Sequence, residues 1–331
     1  MAGISVKVAS SEKSELVGFV SVPVATLRLD AATEFDLYLP PRGGKPPVLY
    51  RNGHLAFTEE AKARLDAGKI GRLLVPAKQG SVYRRYIERN LGSILSDPSV
   101  PMEERTTLLY GSAKGLVKEI LDDPRSGGLL ERAGNMVEHM VQFMFAESRS
   151  FQHLMRVTSF DYYTYTHSVN VFVFSTGLAQ RLGCSQEEAL DFGQGGLLHD
   201  VGKSQIDPTI VNCRGKLSDE QWQEMKKHPV YGQDIMQQQG EENPVILDVI
   251  RHHHEKLSGN GYPDGLAGDE LSLWVRISTI ADVFDALTTR RSYKEAMDSF
   301  PSLRLMKEEM SKDLDPDVFR AFVELMGGNT A

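Results

Sequence analysis

The sequence predicts a mainly α protein: a helical bundle over residues 101–331, preceded by a small α+β domain over residues 1–100. Two observations carry this reading. Up to about residue 90, short apolar runs with strand-like alternation are mixed with helical segments. From Met102 onward the apolar residues recur almost without a break at helical spacing. Pro98 and Pro101 fall between the two patterns, and the boundary is placed at 96–103, because proline disrupts a helix interior and restricts the residue before it.

In the first domain, strands are predicted at Gly18–Val22, Phe35–Leu39, Val48–Tyr50 and Leu73–Val75. Asn52-Gly53 is a turn signal between apolar runs. Thr58 stands where it can cap a helix running to about Leu65, which Gly68 stops. A second helix is expected from Val82 to Leu95. Beyond the boundary, helices are predicted near 102–122, 128–148, 160–182, 186–200, 218–238, 243–255, 272–289 and 301–311. Ser218 before Asp219-Glu220-Gln221 supplies a capping signature for one of them.

Composition narrows the function classes. With 41% hydrophobic and 25% charged residues the chain has an ordinary globular balance, which excludes fibrous and disordered classes. The longest apolar stretch, Leu16 to Leu27, is too short and too interrupted to span about 30 Å of hydrocarbon, and no basic segment leads into an apolar core at the N-terminus. A cytoplasmic protein without membrane insertion is therefore expected. Cys184 and Cys213 have no companions for a zinc knuckle or disulfide framework and are read as reduced packing residues. A net charge of −8 argues against binding long nucleic acid, which rests on a basic face releasing counterions. It leaves room for a small anionic ligand, since metal ions and a few cations can reverse the sign of a local site.

The histidines carry the chemistry. A single buried histidine is ordinarily a packed, satisfied residue. Here His167, His199, His228, His252, His253 and His254 recur within the helical half. His199-Asp200 closes an apolar helical stretch, where adjacent side chains diverge by about 100° and can reach two different ions, or the carboxylate can bridge them. His252-His253-His254-Glu255 leads directly into a loop containing Gly259, Gly261, Tyr262, Pro263 and Gly265. No βαβ unit surrounds these glycines, so a dinucleotide fingerprint is excluded; they are expected to permit positive φ in a loop closing over the site.

Over residues 155–300 the sequence resembles the HD-GYP family of bacterial cyclic di-GMP phosphodiesterases, a branch of the HD superfamily of metal-dependent phosphohydrolases. The resemblance rests on an ordered series: Tyr165 to Val171, His199-Asp200-Val201-Gly202-Lys203, Gly215-Lys216-Leu217, His228 to Gly232, His253-His254-Glu255, Gly261-Tyr262-Pro263, and Asp282 to Thr288 with Arg291 and Lys294. It implies a helical HD-GYP bundle and metal ligation by His167, His199, Asp200, His228, His253, His254 and Asp282. Seven ligands suffice for two divalent ions with Asp200 bridging. The mixed imidazole and carboxylate set suits iron or manganese and also fits zinc or nickel; the family analogy favours iron or manganese. Two ions roughly 3.5–4 Å apart can share a water, lower its pKa and direct hydroxide at a phosphodiester.

The resemblance also implies that Lys203, Arg291 and Lys294 hold substrate phosphate, that Lys203 acts with Asp200 in the reaction, and that Tyr262 and Pro263 form the lip against guanine or ribose. Linear pGpG, GMP or both are the expected products. Some family members carry a Glu one helical turn before the first His; Tyr163 stands there, which points to two metals rather than three. Ser258 replaces the usual acidic residue or Asn of the loop. The first domain looks like the uncharacterised domain often fused in front of such modules, and regulation through signalling partners is expected of it. Oligomeric state is left open. Two other functions stay open at this stage: a non-catalytic module responding to cyclic di-GMP, and a hydrolase of another cyclic dinucleotide.

Overall fold

The computed structural model describes residues 18–42, 44–146, 149–158, 164–213, 215–289 and 296–327, the Leu129 side chain excepted. The chain divides into two compact units, one ending at Arg105 and the other beginning at Thr106.

The first unit contains β1 (Phe19–Pro23), β2 (Leu37–Leu39), β3 (Val48–Arg51), α1 (Glu59–Ala67), β4 (Arg72–Pro76) and α2 (Gly80–Leu95). Its antiparallel sheet runs β1-β4-β2-β3, with Val22 opposite Leu73 and Tyr38 opposite Leu74. Thr58 caps α1 by accepting from the Ala61 amide at 3.3 Å. The second strand is shorter than expected: Phe35 leaves the ladder and is buried edge-on against Tyr83 and Tyr86 of α2, at 5.4 and 5.3 Å between ring centroids. Asn52-Gly53 does form a turn, where the Leu55 amide donates to the Asn52 carbonyl.

The second unit holds the greater part of α3 (Met102–Asp122), followed by α4 (Leu129–Ala146), α5 (Ser150–Val157), α6 (Thr164–Arg181), α7 (Gln186–Leu198), α8 (Pro208–Val211), α9 (Asp219–Met225), α10 (His228–Gln238), α11 (Pro244–His252), α12 (Leu273–Thr288), α13 (Ser299–Glu309) and α14 (Pro316–Met326). Helix α6 packs on α7, α12 and α14, while α11 packs on α7, α10 and α12. Phe174, Phe284 and Phe322 cement the α6, α12 and α14 faces with ring centroids 5.0–6.3 Å apart.

Three sequence readings are corrected here. The helix expected at 218–238 is two helices, because Pro229 has no amide to continue α9 and instead occupies the first turn of α10. The helix expected at 186–200 ends at Leu198, and Val201–Gln205 form a 3-10 turn with Asp200 leading into it at φ −96°, ψ 6°. His253 and His254 lie beyond α11 rather than on a helix extending to 255, so the three imidazoles are splayed by a chain turn. Helices α5, α8 and α14 were not predicted; α14 opens on Asp315, whose side chain accepts from the Asp317 and Val318 amides.

Two glycines let backbones cross closely enough to assemble the site. A Cβ on Gly202, in the 3-10 turn, would lie 1.9 Å from the His228 carbonyl oxygen and 2.4 Å from the Gly232 amide nitrogen. A Cβ on Gly195 of α7 would meet Val249 at 2.9 Å. The obstacles at Gly202 are backbone atoms of α10, which cannot rotate aside as a flexible side chain could. Gly202→Ala is therefore expected to push α10, and His228 with it, away from the His199-Asp200 pair, at an overpacking cost of about 1–3 kcal/mol. A chemical melt and metal uptake measured side by side check this; wild-type stability with full metal uptake contradicts it.

Candidate metal centre

The site is built from helix ends. His199 follows the last turn of α7, His228 follows α9, and His253 follows α11. A helix C-terminus leaves carbonyls without intrahelical partners, and each of these imidazoles satisfies one three residues back: Nδ1 of His199 lies 2.8 Å from the Gly196 oxygen, that of His228 2.8 Å from the Met225 oxygen, and that of His253 2.9 Å from the Ile250 oxygen. A carbonyl only accepts, so Nδ1 donates in all three and Nε2 faces inward. His167, on α6, gets the same orientation from the Asp285 carboxylate, 2.7 Å from its Nδ1.

The inward nitrogens converge. Nε2 of His199 is 3.3 Å from Nε2 of His167, and Nε2 of His228 is 3.2 Å from Nε2 of His253. Asp200 stands between the two pairs: Oδ2 is 3.6 Å from Nε2 of both His167 and His199, while Oδ1 is 3.3 Å from Nε2 of His228 and 4.0 Å from that of His253. Asp282 closes one side, with Oδ1 3.0 Å from His167 Nε2 and Oδ2 3.4 Å from His254 Nδ1. Within 4.8 Å of one another lie the donor atoms of three sets: His167, His199 and Asp282; His228, His253 and His254; and His199, Asp200 and His253. These seven are the residues that the sequence reading assigned to metals.

The donor set fits divalent cations on a feature of the structure itself. Asp200 Oδ1 is buried without a hydrogen bond, although an orphaned buried acceptor is costly. Imidazole nitrogens and carboxylate oxygens crowded around it are the ligand types of such ions.

Electrostatics agree with this. Burial opposes the charge on Asp200, yet Lys203 and His199 hold its carboxyl well below the usual range. Burial likewise opposes the charge on Asp282, and His167 and His254 overcome it. Burial and the neighbouring imidazoles push His253 well down, and burial takes His254 to about 3. His167 is the exception: burial lowers it, but Asp282 and Asp285 outweigh burial and raise it to about 10.

The loop after the cluster is stapled by Glu255, a fully buried residue whose Oε1 accepts from the Asp264 and Gly265 amides at 2.7 and 2.8 Å. Gly259 and Gly265 do adopt positive φ, +76° and +70°; Gly261 is needed for a different reason, since a Cβ there would lie 2.4 Å from Glu255 Cα. Ser258 keeps a role in the loop by donating to Asp313 at 2.6 Å. His252 turns away from the cluster and joins Asp248 to Asp264. The Tyr262 ring tilts over His254, with centroids 4.8 Å apart, and burial raises its phenol above the usual range. Pro263 is half-buried beside it. Lys203, expected at the phosphate, has its ammonium 2.6 Å from Asp200 Oδ2. Arg291, Lys294 and Tyr163 lie outside the described residues.

Sequence reasoning missed three participants. Asp285 orients His167; it lay inside the quoted motif, one turn after Asp282, but was given no role. Asn170 donates to Asp285, one turn after His167. Trp222, 44% exposed, meets the Tyr262 ring edge-on at 6.0 Å, a pairing of α9 with the loop that no local pattern announces.

His167 sets a pH dependence. Its raised pKa contributes stability to the metal-free chain that is fully present below 6.5 and lost as pH rises through about 10. A metal drawing on its Nε2 must displace that proton. Metal affinity at that position is expected to rise about tenfold per pH unit between pH 7 and 9, with close to one proton released on binding. Calorimetric titration in buffers of different ionisation enthalpy measures both; a pH-independent affinity contradicts it.

The HD domain family model matches residues 135–318. The chain is 30% identical over 294 residues to cyclic di-GMP phosphodiesterase PA4108 of Pseudomonas aeruginosa, covering 85% of this chain and 71% of that protein. It is 36% identical over 159 residues to 3'3'-cGAMP-specific phosphodiesterase 3 of Vibrio cholerae, covering 48% of this chain and 34% of the relative. To the cyclic di-GMP phosphodiesterase response regulator RpfG of Xanthomonas campestris pv. campestris it is 38% identical over 143 residues, or 42% of this chain and 37% of that one. The chain thus spans about a third of the length of the last two. Among solved structures, Bd1817, an HDG"Y"P protein from Bdellovibrio bacteriovorus, shares the fold with a TM-score of 0.65 at 21% identity, covering 94% of this chain and 100% of that one. With the HD domain model matching more than half its length and the Pseudomonas aeruginosa relative 30% identical, the chain belongs to the HD domain family, in its HD-GYP branch of cyclic dinucleotide phosphodiesterases.

Proposed function

We propose that this protein hydrolyses the phosphodiester bonds of cyclic di-GMP, giving linear pGpG, GMP or both. The observation that carries this is Asp200, whose two oxygens face two separate sets of imidazoles beneath the Tyr262 loop. The names borne by the relatives support the substrate. His167, His199 and Asp282 would hold one divalent ion and His228, His253 and His254 the other, with Asp200 bridging; iron or manganese is the pair of metals we favour. Bound there, such ions supply an activated water and Lewis-acid stabilisation of the phosphorane-like transition state.

The chain's own residues do the rest. Asp200 and Asp282 bring negative charge that keeps two cations close, and the carbonyl-locked Nδ1 atoms keep the inward nitrogens aimed. Tyr262 and Trp222 make an apolar corner on which a guanine can stack, Pro263 completing the lip. Lys203, Arg291 and Lys294 would hold phosphate oxygens. Residues 101–331 would form the phosphodiesterase domain and residues 1–100 a regulatory one answering to signalling partners. No helix among the described residues is long and apolar enough to cross a membrane, and a cytoplasmic location is part of this reading. A second substrate, 3'3'-cGAMP, is favoured by the Vibrio cholerae relative.

Anaerobically purified, metal-analysed protein incubated with each dinucleotide, with products separated by chromatography, tests the proposal. Turnover of cyclic di-GMP is expected; turnover of 3'3'-cGAMP alone would shift the assignment to that substrate, and turnover of neither would overturn it. Asp200→Asn removes the bridging charge, so both metal content and hydrolysis should fall; full metal stoichiometry with wild-type rate contradicts the bridge. Lys203→Met should lower the single-turnover rate by about 10²–10³-fold with a smaller change in substrate affinity, since a fixed ammonium stabilises charge that grows in the transition state. An unchanged rate with a slightly lowered melting temperature would reduce Lys203 to a partner of Asp200.

A further inference from the structure

A buried chain of hydrogen bonds runs from α3 to the metal cluster. The Tyr110 hydroxyl donates to Asn170 Oδ1 at 2.7 Å, Asn170 Nδ2 donates to Asp285 Oδ1 at 2.7 Å, and Asp285 Oδ2 accepts from His167 Nδ1 at 2.7 Å. All four side chains are at most 5% exposed. The polarity of the chain is consistent from end to end: the carboxylate can only accept, so the Asn170 amide must present its NH2 group to Asp285 and its oxygen to the hydroxyl. Thr289 makes a second donation to Asp285 Oδ1 at 3.0 Å, leaving that carboxylate little rotational freedom. Buried networks of this kind stiffen each member beyond what its own pair would do.

Tyr110 belongs to none of the features that suggested the site. It lies on α3, ahead of the 135–318 stretch matched by the family, and α3 is also the helix within which the division between the two units falls. Lys114, one turn further along α3, places its ammonium 5.6 Å from the Tyr110 ring and 5.9 Å from the Tyr165 ring of α6, a cation–π bracket that ties the two helices beside the hydroxyl.

We infer that Tyr110 is a positioning residue for His167: through Asn170 and Asp285 it fixes the direction of the His167 Nε2 lone pair, so that the placement of α3 sets the affinity of one of the two metal positions and not the other. This rests on the metal assignment proposed above. A hydrogen-bond partner beyond the ligands commonly changes metal affinity by about 10–100-fold on mutation, and Tyr110 stands two links further out, which puts the expected effect near the lower end.

The test is calorimetric titration of metal-free full-length protein with Mn²⁺, for wild type, Tyr110→Phe and, as the direct break in the chain, Asp285→Asn. Two binding steps are expected for wild type. Tyr110→Phe should weaken one step by about 5–10-fold and leave the other within twofold, and Asp285→Asn should weaken the same step further. In the metal-free protein, the downfield Nδ1 proton of His167 should shift in Tyr110→Phe by nuclear magnetic resonance, a readout independent of metal. Two unchanged steps with an unshifted proton overturn the inference while the metal assignment stands. Equal weakening of both steps, with a lowered melting temperature of the metal-free chain, gives Tyr110 a merely structural role and also overturns it. Absence of any binding by wild type overturns the metal assignment and this inference together.

Discussion

Two carboxylates, Asp200 and Asp282, are buried in the helical unit, and the rest of that unit is arranged around the cost of keeping them charged. An isolated buried carboxylate is strongly unfavourable. Here Lys203, His199 and His228 hold Asp200, and His167, His254 and His199 hold Asp282, well below the usual carboxylate range against the opposing effect of burial. Three imidazoles of the cluster, those of His199, His228 and His253, are in turn fixed by helix ends, because the carbonyls left over at α7, α9 and α11 are the acceptors for their Nδ1 protons. Helix termination, ordinarily a liability to be capped, is in this fold the device that aims these three imidazoles.

That arrangement demands close backbone approach. The 3-10 turn bearing Lys203 must lie against α10 with nothing between them, which Gly202 and Gly232 allow. The loop after α11 must fold back over His254, and Glu255 accomplishes this by accepting two loop amides from inside while Arg251 grips Asp264 from outside with a bidentate pair of 2.6 and 2.9 Å. Tyr262 is thereby held over the His254 imidazole.

A second layer governs the first. Unlike His199, His228 and His253, His167 takes its orientation from a carboxylate rather than from a helix carbonyl, and its pKa is raised to about 10. The same Asp285 that orients its ring also makes the proton harder to remove. His167 is also the position reached from α3 through Asn170.

Much of the candidate site was legible in the sequence because its chemistry is local. The His199-Asp200 pair, the imidazole run and the loop that follows each lie within a few residues, and their order along the chain is specific even though each piece is weak by itself. Helix starts were legible for the same reason, since the Thr58 and Ser218 caps depend on three neighbouring residues. What the sequence could not supply was direction. Whether His252 or His254 faces the cluster depends on where α11 ends; His252 is drawn off by Asp248 and Asp264, and His254 is carried inward by the turn beyond. The break between α9 and α10 places His228 at a helix start, and the crossing at Gly202 brings it to Asp200. Tyr110, Asn170 and Asp285 meet from residues 60 and 115 positions apart, a separation across which no periodicity operates. The sequence by itself determined the kinds of atoms available and the helices that carry them, because those follow from local hydrogen bonding and apolar spacing. Only the tertiary structure decided which nitrogens and oxygens face one another across a few ångströms, because that depends on how closely separate backbones can pack.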